Sequence, residues 1–132
     1  MNGKFAFPPD LGDIEAIARE AFLTIPEQVR RRVADLVFHV QEFPDPDIQR
    51  DMGLASPFEL LGLYAGLSLD RRSVADTSED LDRIFLYRRP LLDYWCEVGG
   101  DLADIVRHVL VHEIGHHLGL SDADMALIEE TA

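Results

Sequence analysis

The amino-acid sequence predicts a mixed α+β fold, a compact arrangement in which helices pack against a small sheet of about three strands. Two kinds of periodicity support this prediction. Apolar and polar side chains alternate in Leu36–Gln41, which is typical of a half-buried strand, and Arg83–Tyr87 is a second strand candidate. Apolar residues recur instead at helical spacing in Leu11–Leu23 and in Leu102–Leu118.

The third strand candidate is the apolar segment Leu60–Leu67, in which Gly62 and Gly66 indicate a close backbone approach or a bulge. The polar stretch from Asp70 to Asp82 is predicted to be a loop. Proline and turn residues divide the rest of the chain into shorter elements. Short helices are predicted at 27–33, from 46 to 52 and at 91–96.

Capping residues mark the ends of the last two helices. Asp101 precedes the long helix and Gly119 follows it, which are the residue types favoured at these positions. Ser121 with Asp124 three residues later resembles a capping box, so a last helix is expected to run to about Glu130. The long helix is then the second-to-last helix of the protein.

Size and charge exclude several classes of protein. A chain of 132 residues suffices for one core, so a single domain over residues 1–132 is expected. The formal net charge is −13, and such a surface repels phosphate backbones, which argues against nucleic acid as a partner. The longest nearly apolar stretch, Leu60–Leu69, is half a membrane span, so no membrane association is expected. Nothing in the sequence predicts the oligomeric state.

The cellular location is inferred from the N-terminal residues and from the cysteine content. The first nine residues contain one lysine and no apolar core, so they do not resemble a secretory signal. Cys96 is the single cysteine, which excludes an intramolecular disulfide and fits an inert, buried thiol. Together these observations favour a reducing, cytoplasmic location.

The strongest chemical signal is the segment His112-Glu113-Ile114-Gly115-His116. Two histidines four residues apart lie almost one above the other on a helix, so they can direct two imidazoles at one ion. Neutral imidazole is a zinc ligand at about 2.0–2.1 Å. Glu113 is displaced by about 100° and borders the same cleft. This is the H-E-x-x-H arrangement, which predicts one zinc ion per chain.

A catalytic zinc ion usually has a third protein ligand, and Asp122 is the first candidate. Gly119 can adopt a left-handed turn, after which the chain can fold back and bring Asp122 to the metal. Asp122 can instead stabilise the start of the last helix through the helix dipole. Glu129 and Glu130 are the alternative ligands on the last helix.

The remaining histidines have other predicted roles. His117 points about 100° away from His116, so it is a poor ligand and is expected beside the cleft. His108 lies one turn before His112 and is interpreted as a supporting or core histidine. His39 alternates onto the polar side of its strand and is expected to be solvated.

Three segments carry a resemblance to a known family. They are Leu60–Gly66, Ile84–Leu91 and His112–Asp124, in that order along the chain. With them the sequence resembles a family of small bacterial zincin-like metallopeptidases, formerly a domain of unknown function and sometimes called minimal metalloproteases. The resemblance extends over most of the chain from about Ile14, and its last motif is the most specific.

The resemblance implies a compact zincin-like fold, zinc at His112, His116 and Asp122, and Glu113 as the catalytic base. It implies peptidase activity without a defined substrate. The sequence departs from larger metzincins in lacking a long C-terminal subdomain. Met125 also lies too near Asp122 to be their supporting methionine turn.

The leading functional hypothesis is hydrolysis of peptide bonds, in which a zinc-activated water attacks the carbonyl and Glu113 is the general base. An extended peptide is predicted to pair with an edge strand near Tyr64. Tyr64 itself is either a packed strand residue or an aid to oxyanion stabilisation. The alternatives are a metal-binding or protein-interaction domain with little hydrolytic activity, and hydrolysis of a non-peptide amide at the same site.

Overall fold

The computed structural model describes residues 7–66 and 82–130. Its strands are β1 (Val37–Gln41), β2 (Gly62–Ala65) and β3 (Arg83–Tyr87). Its helices are α1 (Leu11–Leu23), α2 (Glu27–Arg30), α3 (Pro46–Asp51), α4 (Arg88–Val98), α5 (Leu102–Leu118) and α6 (Asp122–Glu130), with 3₁₀ turns at Arg31–Val33 and Pro57–Glu59. The predicted mixed α+β fold is therefore confirmed.

The three strands form one mixed sheet in the order β1-β3-β2. β1 runs parallel to β3 with Val37 opposite Arg83. β2 runs antiparallel to β3 with Gly62 opposite Leu86. Within the described ranges β3 is thus the central strand, and β2 presents one edge of the sheet.

The core lies between the sheet and the two longest helices. α5 packs against both α1 and β2, and α6 packs against α5. The side chains of this core are shielded almost completely from solvent; they include Ile14, Ala18, Ile84, Leu86, Val106, Leu110, Ile114 and Met125. α5 is therefore a central structural helix as well as the carrier of the histidine motif.

Local sequence signals explain the ends of most elements. α1 begins after Asp10, whose side chain accepts from the backbone N–H of Asp13 at 2.7 Å. α3 begins at a proline, as expected for a first helical turn. The glycine prediction for β2 also holds, because a Cβ on Gly62 would lie 2.7 Å from Cγ1 of Val109 on α5.

Two predicted boundaries need correction. The helix expected at 91–96 extends from Arg88 to Val98 and begins directly after β3. Pro90 lies inside its first turn, where the missing N–H removes no helical hydrogen bond. The strand expected over Leu60–Leu67 is shorter at Gly62–Ala65. Leu67 and nearly all of the predicted 70–82 loop lie outside the described residues.

No helix in residues 7–66 and 82–130 combines the length and apolar character needed to cross a membrane.

Candidate metal centre and catalytic residues

The histidine motif lies in the C-terminal half of α5, between two well-formed caps. The side chain of Asp101 accepts from the backbone N–H of Ala103 at 2.9 Å, at the start of the helix. Gly119 ends it with φ 75° and ψ 25°, the left-handed conformation predicted for it. Ile114 and Gly115 face the core, so the histidines on the other side are directed towards solvent.

His112 and His116 are neighbours on this outer side of α5. Their ring centroids are 5.9 Å apart and the ring planes are inclined by 85°. His112 is half-buried and His116 is exposed. Two imidazoles this close on successive turns can direct nitrogen atoms at one ion without a change in the helix.

Glu113 reaches across to the sheet. Its Oε1 accepts a hydrogen bond from the backbone N–H of Tyr64 in β2, at 3.1 Å. Burial raises the pKa of the Glu113 carboxyl, against the lowering effects of this hydrogen bond and of electrostatic attraction to His116 and His112. A raised pKa makes the carboxylate a stronger proton acceptor, which is the property that a general base needs.

The hydrogen bond of Glu113 lies on the side of β2 that faces away from β3, the outer side of the sheet within the described residues. Tyr87 N–H donates to the carbonyl of Leu61 at 3.0 Å, so Leu61 and alternate residues after it are paired with β3. The backbone groups of Gly62 and Tyr64 consequently face away from β3. Glu113 is therefore placed beside the edge at which an additional strand would pair.

A cluster of polar side chains packs around Tyr64 on this strand. The Tyr64 hydroxyl donates to Oδ2 of Asp82 at 2.8 Å, and Asp82 is buried. The His117 ring stacks on Tyr64 with centroids 4.0 Å apart, and its Nε2 is 3.6 Å from the same Asp82 oxygen. His117 is thus directed to the sheet and away from His112 and His116, and Tyr64 is packed between two elements.

A second cluster lies one turn earlier on α5. His108 Nδ1 is 2.5 Å from Oε1 of Glu129, and His112 Nε2 is 3.5 Å from Oε2 of the same carboxylate. The rings of His108 and His112 have centroids 4.1 Å apart. Among the described residues, these three form the group of histidine and carboxylate ligand atoms that lie within 4.8 Å of one another.

Asp122, the predicted third ligand, lies in the first turn of α6 with an exposed side chain. It is not part of that three-residue group. The predicted capping box is present beside it, because Ser121 and Asp124 exchange hydrogen bonds at 3.1 Å. The cap of α6 is thus provided by other residues, and the role of Asp122 as a ligand stays a prediction.

Two interpretations of single residues were wrong. His39 is half-buried rather than solvated: it stacks on Phe85 with centroids 5.0 Å apart, and its Nε2 is buried without a hydrogen-bond partner among the described residues. Cys96 was expected to be buried and is exposed. Phe85 of the neighbouring strand β3 lies opposite His39 and covers its ring. Cys96 lies on a solvent-exposed side of α4. Which side of each element is covered depends on tertiary packing, so the local pattern did not predict it.

Three buried residues of the site were not predicted. The first is Arg107, which donates to Thr24 Oγ1 at 2.7 Å and to the carbonyls of Ile128 and Glu129 at 2.9 and 3.2 Å. These bonds clamp the end of α6 onto α5 and α1. No local pattern distinguishes such an arginine from an exposed one.

Met125 of α6 is completely buried against the motif helix. A Cβ on Gly115 would overlap its Sδ, so the glycine allows α6 to approach α5 closely. A glycine inside a long helix is the sequence signal that could have indicated this contact.

The third unpredicted residue is Tyr87, which is also buried. Burial, together with the charges of Asp45 and Glu113, raises the pKa of its hydroxyl to about 12.

An open cleft of about 420 Å³ borders the second cluster. Most of its wall is apolar, and His108 and Glu129 lie at its polar side. The lining residues are Leu61, Tyr94, Val98, Asp104, Ile105, His108, Val109 and Glu129. An apolar depression therefore lies next to His108 and Glu129.

Comparison with known proteins identifies the family to which the chain belongs. A sequence profile of the zincin-like metallopeptidase family matches residues 33–132, about three quarters of the chain. The chain therefore belongs to the zincin-like metallopeptidase family, as the resemblance of its motifs implied.

A solved structure supports the same fold. The chain is similar to a conserved hypothetical protein from Thermus thermophilus, with 25% sequence identity and a TM-score of 0.54. The similarity covers 83% of this chain and 94% of that one. No protein with curated annotation matched the chain.

Proposed function

We propose that the protein is a zinc-dependent metallopeptidase, with Glu113 as the general base and with His112, His116 and Asp122 as metal ligands. One observation carries the proposal. The half-buried carboxylate of Glu113 lies between the two histidines of its own helix and the backbone N–H of Tyr64 at the sheet edge, 3.1 Å away. A base, a pair of metal-ligating imidazoles and a strand edge thus meet at one place.

The side chains present fit a zinc ion. Imidazole nitrogen and carboxylate oxygen are the donors that catalytic zinc sites use. His112 and His116 share one face at a centroid separation of 5.9 Å. Asp122 is exposed in the turn after the motif, where no hydrogen bond among the described residues engages its carboxylate. One zinc ion per chain is the proposed cofactor.

A zinc ion, when bound, supplies a Lewis acid that lowers the pKa of water towards ~7 and polarises a carbonyl. Glu113 takes the proton from the attacking water at its carboxylate and transfers it to the leaving amine. Burial raises the pKa of this carboxyl, so it accepts the proton more readily than an exposed glutamate does. The Tyr64 N–H orients the carboxylate by binding Oε1.

The proposed substrate is an extended peptide that pairs with β2 near Tyr64. Gly62 and Tyr64 alternate with the residues of β2 that pair with β3, so their backbone groups lie on the side of β2 along which the peptide is proposed to run. On that side the Tyr64 N–H is engaged by Glu113. A peptide laid along this edge passes beside Glu113, which brings its carbonyl groups to the base. The apolar cleft next to His108 is suited to an apolar side chain of that peptide.

The test is peptide hydrolysis by the wild-type protein and by Glu113→Gln, measured on a broad peptide library. Glutamine keeps the size and the hydrogen-bond acceptor but cannot take a proton, so activity should fall by about 10²-fold or more while zinc content is unchanged. Glu20→Gln, an exposed acid on α1, is the control and should keep full activity. Equal activity of wild type and Glu113→Gln would refute the mechanism.

Two further parts of the proposal are open to direct test. Removal of zinc by a chelator should abolish hydrolysis, and added zinc should restore it. The proposed location is the cytoplasm, where the exposed thiol of Cys96 stays reduced. Fractionation of cells that express the protein at its natural level tests this location.

A further inference from the structure

We propose that His108, His112 and Glu129 form a second position for a divalent metal ion, which shares His112 with the H-E-x-x-H pair. The inference concerns where the ion is bound and does not depend on peptidase activity. It rests on three separate features: the donor geometry, the framework that fixes Glu129, and the absence of a competing cation among the described residues.

The donor geometry matches the size of a zinc ion. Donors about 2.1 Å from a tetrahedral ion are about 3.4 Å from one another. His112 Nε2 and Glu129 Oε2 are 3.5 Å apart, which is close to this separation. His108 Nδ1 and Glu129 Oε1 are closer, at 2.5 Å, which is a hydrogen-bond distance that a small side-chain rotation would widen. Each carboxylate oxygen faces a different imidazole.

The framework that fixes Glu129 is a buried arginine. Arg107 donates to the carbonyl of Glu129 at 3.2 Å and to that of Ile128 at 2.9 Å. Because Arg107 immediately precedes His108 on α5, the backbone of Glu129 is tied to the helix that carries both histidines. The side chain of Ile128 is also buried, which anchors this end of α6 in the core. The backbone of Glu129 is therefore held beside α5 by contacts that the three donors do not themselves provide.

No lysine or arginine of the described ranges competes for this carboxylate. Arg107 is the last basic residue of the sequence, and it bonds the backbone of Glu129 rather than its side chain. Within residues 7–66 and 82–130, the ion-pair partners of the Glu129 carboxylate are His108 and His112. The side chain of His108 is 57% exposed beside an open cleft, which gives an ion a route from solvent.

Sharing of His112 makes the two positions mutually exclusive. A neutral imidazole has one nitrogen with a free lone pair, so it coordinates one ion at a time. An ion bound with His108 and Glu129 leaves His116 unliganded, whereas an ion bound with His116 leaves the His108–Glu129 pair hydrogen-bonded. The stoichiometry stays at one zinc per chain, and the ion has two alternative ligand sets.

The test is zinc content per chain, measured by elemental analysis after dialysis against buffered free zinc. The variants are His116→Ala, which removes one ligand set, and His108→Ala, which removes the other. Both replaced side chains are exposed, and thermal unfolding of the zinc-free proteins verifies that each variant is folded. His116→Gln is a second version of the first variant, and His117→Ala is the control outside both sets.

His116→Ala is expected to retain one zinc per chain, with affinity reduced by up to about 100-fold, and to lose this zinc when His108→Ala or Glu129→Gln is added. His112→Ala alone should lose all zinc. The inference is overturned if His116→Ala and His116→Gln are folded but bind no zinc, or if the double variants keep it. Loss of zinc in His108→Ala alone would instead leave the second position standing and contradict the ligand set in the proposed function.

Discussion

Oε1 of Glu113 accepts a hydrogen bond from the backbone N–H of Tyr64 across 49 positions of sequence. This contact connects the motif helix α5 to strand β2. It fixes the carboxylate beside backbone groups that face away from the rest of the sheet. The position of Glu113 thus depends on the docking of α5 against β2 as much as on the motif that contains it.

The first prediction concerns the stability cost of this buried carboxylate. Burial raises the pKa of Glu113, so the folded chain binds the proton more tightly than the unfolded chain. Its contribution to stability is fully present below the unfolded pKa and is lost as pH rises through the folded pKa. Zinc-free Glu113→Gln should therefore be more stable than zinc-free wild type near pH 8, and this difference should shrink as the pH falls towards 4.5, the ordinary pKa of a glutamate side chain.

Urea unfolding of both proteins over this pH range gives the measurement. Glu20→Gln is the matched control, because Glu20 is exposed on α1 and should show no such pH-dependent difference. A Glu113→Gln protein that is less stable than wild type at every pH would contradict the prediction, because it would show that the carboxylate charge stabilises the fold despite its burial.

The second prediction separates ligand from cap at the start of α6. Asp122→Asn should weaken zinc binding by about 10-fold or more, because an amide oxygen is a poorer zinc donor than a carboxylate. Asp124→Asn changes the neighbouring acid that bonds the Ser121 N–H, and it should lower stability slightly without changing zinc affinity. Zinc competition titrations measure both. Unchanged affinity in Asp122→Asn would exclude it as the third ligand.

The third prediction concerns the contact between α5 and α6. Gly115→Ala places a methyl group well inside contact distance of Sδ of the fully buried Met125. Overpacking should outweigh the better helix propensity of alanine and cost about 1–2 kcal/mol in the free energy of unfolding. Gly12→Ala in α1, where the nearest atom is 3.4 Å away, should be neutral or stabilising. Equal stability of the two variants would show that Met125 moves without cost.

The fourth prediction tests the strand edge with modified substrates. For a peptide that is cleaved, N-methylation of a backbone amide facing β2 removes one hydrogen bond to the Tyr64 edge. This loss should raise KM by about 3- to 15-fold with little change in kcat. Methylation of the adjacent amide, which faces away, should leave KM unchanged because alternate residues of a strand face opposite edges. Equal effects at both amides would argue against pairing with this edge.

The sequence by itself determined the local features of this protein. The limits of α1 and α5 follow from apolar periodicity and from the caps at Asp10, Asp101 and Gly119. The spacing of His112 and His116 places both rings on one face of α5 because helical geometry depends only on nearby residues. Family membership followed from the same motifs.

Only the tertiary structure decided which distant side chains meet. The sequence offered Glu129 as an alternative ligand, but its pairing with His108 depends on the angle at which α6 packs on α5. That angle is set by Gly115, Met125 and the buried clamp of Arg107, whose partners lie far apart in sequence. The contact of Glu113 with Tyr64 likewise requires β2 to dock beside α5. Such contacts depend on the packing of whole elements, for which local periodicity and capping carry no information.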